Sequence, residues 1–96
     1  VIDLIWSGRA RQDVAGIIGR LHSLNPTAAD DFESHLFLAV HELKSLPGLG
    51  YRRADLTEKK VLFYRVPPYV IVFRRTTKKI TISRVLHSAR DLGNLI

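Results

Sequence analysis

The stretch Val61–His87, VLFYRVPPYVIVFRRTTKKITISRVLH, decides the fold. Val61–Val66 is rich in β-branched and aromatic residues and ends at Pro67-Pro68, which breaks a strand ladder. Tyr69–Phe73 is apolar without alternation, so Tyr69–Arg75 is expected to be a central strand covered on both faces. Thr76–Lys79 reads as a hairpin loop and Ile80–His87 as the last strand. Short connections link the three, so they form an antiparallel meander.

Upstream the period changes from two to that of a helix. Ala29, Phe32, Leu36, Ala39, Val40 and Leu43 form one apolar stripe, on a helix of roughly 26–44. Asn25-Pro26 supplies its cap and first residue, and Pro47, Gly48 and Gly50 stop it. Ala10, Val14, Ile17, Ile18 and Leu21 mark an earlier helix of roughly 9–22, with Ser7 as N-cap. The two helices are a few residues apart and so form an antiparallel hairpin. Val1–Trp6 reads as a strand, and Tyr51–Lys60 as a polar, exposed connection. Downstream, Ser88 and Asp91 have the spacing of a capping box before a short helix carrying Leu92 and Leu95. The expected fold is α+β: one domain over residues 1–96, with a helix hairpin burying its stripes on an antiparallel sheet.

Composition narrows the chemistry. A chain of 96 residues buries about two thirds of its unfolded surface, so a partner that covers apolar area matters to it. Without cysteine there is no disulfide framework, no thiolate catalysis and no cysteine-ligated zinc site. The longest strongly apolar run, Tyr69–Phe73, is too short to span a bilayer, and no N-terminal segment has the pattern of a signal peptide. A cytoplasmic protein without a membrane partner is expected. Charge is uneven. Residues 1–50 carry four basic and six acidic side chains, net −2; residues 51–96 carry eleven basic and three acidic, net +8. The second half is therefore suited to nucleic acid or to an acidic protein segment.

Candidate chemistry is sparse. His22, His35, His41 and His87 do not pair at helical ligand spacing, so no metal site is expected. Gly48-Leu49-Gly50 is too short for a phosphate loop and follows a helix rather than a strand, and nothing else implies a cofactor. The remaining candidates are Arg65, Arg74 and Arg84 on the three strands, with His87 at the end of the last and Arg90 beyond it. Arginine forks onto phosphate or carboxylate. Arg84 and His87 differ by an odd number, so a regular strand puts them on opposite faces, and they meet only across a bulge. The simpler role for these arginines is stacking on Tyr64 or Phe73, or pairing with Asp91.

The ordered set Trp6-Ser7, Ala10, Asp13-Val14, Ile17-Ile18, Asn25-Pro26, Ala28-Ala29, Leu46-Pro47-Gly48, Tyr69–Arg74 and Arg84–Leu92 resembles ParE toxins of the RelE/ParE toxin–antitoxin superfamily. The block Val85-Leu86-His87-Ser88-Ala89-Arg90-Asp91-Leu92 is its most specific part. The resemblance implies a toxin of a type II operon, neutralised in a hetero-oligomer by a ParD-like antitoxin and directed at DNA gyrase. It implies no enzymatic activity, and no sequence-specific DNA binding by the toxin alone. Arg65, Arg74, Arg84, His87 and Arg90 would then bind antitoxin or target. The alternative branch is a RelE-like ribosome-dependent mRNA endonuclease, for which Arg65, Arg84 and His87 are the catalytic candidates. That chemistry needs an acid, a base and cations on the phosphate. The tyrosines, at 51, 64 and 69, are all far from the C-terminus where related nucleases carry one, which disfavours this branch. A non-toxic relic that only binds antitoxin is the third reading.

Overall fold

The structure, a computed structural model, describes residues 2–96. Its elements are β1 (Asp3–Trp6), α1 (Gly8–Leu24), α2 (Pro26–Ser45), β2 (Leu62–Val66), β3 (Tyr69–Arg75), β4 (Lys79–His87) and α3 (Leu92–Leu95). The expected start of the first strand at Val1 lies outside the described residues. Both long helices begin on the caps read from the sequence. The Ser7 hydroxyl accepts from the Ala10 N–H, and the Asn25 side chain accepts from the Thr27 N–H with Pro26 following.

The sheet order is β1-β4-β3-β2. The meander β2-β3-β4 is antiparallel as expected, but β1 pairs in parallel with β4, so the sheet is mixed. An element that precedes a helix hairpin returns to the sheet in either direction, and local pattern does not choose between them. Helices α1 and α2 cover the front face, where Phe32, Leu36, Leu43, Ile71, Phe73 and Ile82 form the main core. A smaller rear core joins Val61, Phe63, Val70, Val72 and Leu86 to Leu92. Strand β3 is thus covered on both faces, which explains its unbroken apolar run.

Two expectations are corrected. The loop over 51–60 is more than an exposed connection: Tyr51 exchanges backbone hydrogen bonds with Phe63 at 2.9 and 2.8 Å, and Leu56 packs on the rear core. The capping box does not form either. The N–H and hydroxyl of Ser88 both donate to the Pro68 carbonyl, each at 2.9 Å, closing the end of the β3–β4 ladder, and Asp91 is the N-cap without a side-chain cap bond. Serine found a nearer acceptor than the helix end.

Candidate functional site

A β-bulge organises the middle of the molecule. Val72 pairs with Arg84, whereas Phe73 pairs with Ile82, so Ser83 is an extra residue on β4. The bulge inverts the side-chain alternation: Ile80 and Ile82 face the helices, and beyond it Val85 does so. It also frees backbone groups, which the start of α1 takes up. The Ser7 N–H donates to the Ile82 carbonyl at 2.9 Å and the Ser7 hydroxyl to the Ser83 carbonyl at 2.8 Å. The Val85 N–H donates to Asp13 Oδ2 at 3.0 Å. One serine therefore both caps a helix and satisfies a bulge.

Arg84 belongs to the same knot. Its Nε and Nη2 donate to the two Asp13 oxygens at 2.8 and 3.0 Å, and Nη1 to the Leu95 carbonyl at 2.6 Å. Both side chains are only 13% exposed. Hydrogen bonding to Asp13 holds the guanidinium pKa above its ordinary value, against the opposing effect of desolvation. Arg84 thus pairs with Asp13 on α1, not with Asp91.

His87 lies past the bulge and faces the other way. Its ring meets Tyr69 edge-on at 5.5 Å, and its Nδ1 accepts from the Ala89 N–H at 3.1 Å. With Gln12, Tyr69 and Arg90 it lines a polar pocket of about 280 Å³ between α1 and the end of β4. Arg65 is exposed on the outer strand β2, opposite Val70. Arg74 is exposed near the far end of β3, opposite Thr81. The structure therefore brings His87 and Arg90 together and holds Arg65, Arg74 and Arg84 apart from them. The bulge precedes both Arg84 and His87 instead of lying between them, so it leaves the pair on opposite faces.

Sequence reading expected a partner that covers apolar area without locating where it would sit. A cleft of about 430 Å³ runs between β1 and the hairpin, floored by Leu4, Trp6, Val14, Ile18, Leu36 and Val40. Phe37 stands at its wall and is 75% exposed, with Leu38 beside it at 57%. Arg11 and Lys44 supply cations at the rim, with Glu33 opposing them. β1 ends the sheet, so its outer edge carries no further strand. Phe37 sits off the main α2 stripe, and this misplaced aromatic is the sequence signal that could have found the groove.

Comparison with known proteins assigns the family. Residues 4–92 match the family described as ParE toxin of type II toxin-antitoxin system, parDE. The chain belongs to the ParE toxin family of type II toxin–antitoxin systems. It is 31% identical over 87 residues to a protein named Toxin RelE2 from Caulobacter vibrioides, a match that spans 91% of this chain and 96% of the relative. Its fold is that of a solved structure titled as the chromosomal ParDE TA system from P. aeruginosa, with a TM-score of 0.72, 23% identity and coverage of 90% and 95% of the two chains. ParE-family membership agrees with the element order and with the quoted C-terminal block.

Proposed function

We propose that this chain is a toxin that acts on DNA gyrase in the cytoplasm without covalent chemistry of its own, and that a ParD-like antitoxin silences it in a hetero-oligomer. The observation that carries this reading is the separation of the candidate nuclease groups. Cleavage of RNA at a 2′-hydroxyl needs an acid, a base and a phosphate-binding cation around one reacting atom. Arg84 is engaged by Asp13 and Leu95, while His87 faces Tyr69 on the opposite side of β4. The apolar groove supports the antitoxin half. An amphipathic segment laid on Leu36, Phe37 and Val40 would bury apolar surface, with its carboxylates beside Arg11 and Lys44.

The test is a supercoiling and DNA-cleavage assay with purified gyrase, ATP and toxin, run beside mRNA programmed on ribosomes. Inhibited supercoiling or trapped breaks with intact mRNA is the expected result. Cut mRNA with unaffected gyrase would replace this reading with the RelE-like one, which the name of the Caulobacter relative favours. Neither effect, together with normal growth on induction in a host without antitoxin, would leave antitoxin binding alone.

A further inference from the structure

The rear face of the sheet is only half covered. Leu56, Leu92 and Leu95 pack against the end that holds Phe63, Val70 and Leu86. At the other end a row crosses three strands in register: Arg74 on β3, Thr81 on β4 and Ile5 on β1. Arg74 is exposed and Ile5 is 41% exposed. Beside this row lies a second groove, of about 390 Å³, walled by Leu95 and Ile96 and lined by Arg9, Lys59, Arg74 and Arg84. Among the described residues no Asp or Glu side chain lines it.

The state of each cation matters. Arg84 is neutralised by Asp13. Lys59 donates one hydrogen bond, to the Ile96 carbonyl at 2.8 Å, and keeps two further protons. Arg9 and Arg74 have no hydrogen-bond or ion-pair partner among the described residues. The chain's carboxylates are concentrated elsewhere: Asp30, Asp31, Glu33 and Glu42 all lie on α2, at the front. Asp3, opposite Lys79 in the β1–β4 register, is the acidic residue on this face of β1.

We infer that this rear groove binds the phosphate backbone of duplex DNA, without reading sequence. Two unpartnered cations, Arg9 and Arg74, face outward around one groove beside Lys59, which suits adjacent phosphates. Single-stranded nucleic acid is held by aromatic side chains on which bases stack, and none lines this groove; Trp6 points to the front core. An amphipathic acidic peptide would want the larger apolar floor of the front groove, which Leu4, Trp6, Val14, Ile18, Leu36 and Val40 build, whereas here Val61, Leu95 and Ile96 are the apolar lining among the cations. Among the described residues no helix or ribbon projects from the face to enter a DNA groove, so contact is confined to phosphates. The inference does not depend on gyrase, because it concerns the toxin and DNA alone.

The test is fluorescence anisotropy of a short labelled duplex with purified toxin, repeated between about 50 and 200 mM salt. A Kd within about 10⁻⁶ to 10⁻⁴ M and a log–log salt slope of about −1.8, for two phosphates, are expected. The double variant Arg9→Glu with Arg74→Glu should lose at least tenfold in affinity. The control Arg20→Glu with Arg52→Glu makes the same change in net charge at two exposed arginines outside the groove, and should lose no more than about twofold. Thermal melts check folding; if the Glu pair does not fold, Arg9→Gln with Arg74→Gln replaces it, with at least a threefold loss expected. Equal losses in both pairs would reduce the effect to net charge and overturn the site. So would absent binding at low salt, or tighter binding of single-stranded DNA, of RNA or of an acidic peptide than of duplex. A gyrase assay on the same variants reads the proposed toxin activity separately.

Discussion

Removing Asp13 should unfold this protein more readily than any other single surface-adjacent substitution on α1. Its carboxylate accepts three hydrogen bonds, two from Arg84 and one from the Val85 N–H at the bulge. In the Asp13→Ala variant the guanidinium keeps only the Leu95 carbonyl, and the Val85 N–H has lost its acceptor. Breaking a fully buried pair in this way costs about 3–5 kcal/mol. Both side chains are 13% exposed, so water recovers part of it and about 2–4 kcal/mol is expected. For a domain this small, each kcal/mol lowers Tm by about 4–8 °C. Arg84→Ala should cost less, about 1–3 kcal/mol, because Asp13 retains the Val85 N–H and gains water. Urea denaturation of both single variants and the double variant closes a cycle whose coupling should be at least about 1 kcal/mol. The guanidinium pKa is raised, so its stabilisation is complete below its unfolded value and lost only as pH rises through the higher folded one. The coupling should therefore not change between neutral pH and about pH 10. Single variants within about 0.5 kcal/mol of the parent, with no coupling, would refute the reasoning and return Arg84 to the list of free binding residues.

Three further outcomes are expected. Gly50→Ala should destabilise by about 1–3 kcal/mol in the same urea assay, because φ is +100° there and a Cβ would stand 2.6 Å from the Phe73 ring. The Tyr64 phenol donates to Glu42 at 2.8 Å, and this bond, with desolvation second, raises its pKa above about 10; the stabilisation is present below that value and is lost as pH rises through the folded one. Ultraviolet titration should accordingly show a late phenol that Tyr64→Phe removes and Glu42→Gln shifts back down. Phe37→Glu should leave stability within about 0.5 kcal/mol, since the ring is 75% exposed, yet weaken antitoxin binding at least tenfold by calorimetry; unchanged affinity would place the antitoxin elsewhere.

What the sequence made legible follows from the range of the forces. The caps at Ser7 and Asn25 and the apolar run of β3 are local, and each appears where it was read. The parallel seat of β1 beside β4 depends on a partner about 76 residues away in the chain, and no local pattern encodes it. The bulge at Ser83 is equally silent. Ser83 is an ordinary strand residue until Ser7 and Asp13 arrive to take the freed carbonyl and N–H. Asp13 entered the sequence reading only as part of the family resemblance, and only the fold shows that it meets β4.

That silence has a functional consequence. The candidate nuclease set depended on a bulge between Arg84 and His87. A bulge does exist, but one residue before Arg84, where it turns Val85 toward the helices and leaves Arg84 with the rear face. Moving it two residues along the chain would have brought guanidinium and imidazole to one face. As it stands, β4 deals its charged groups to two sides. His87 and Arg90 are at the front, beside Tyr69. Arg84 is at the rear, already matched to Asp13, at the margin of a groove whose free cations are Arg9 and Arg74. A strand arranged this way offers two binding faces and no shared reacting centre. That arrangement is what the two proposals rest on: the front groove proposed for the antitoxin, and the rear groove for the phosphates of duplex DNA.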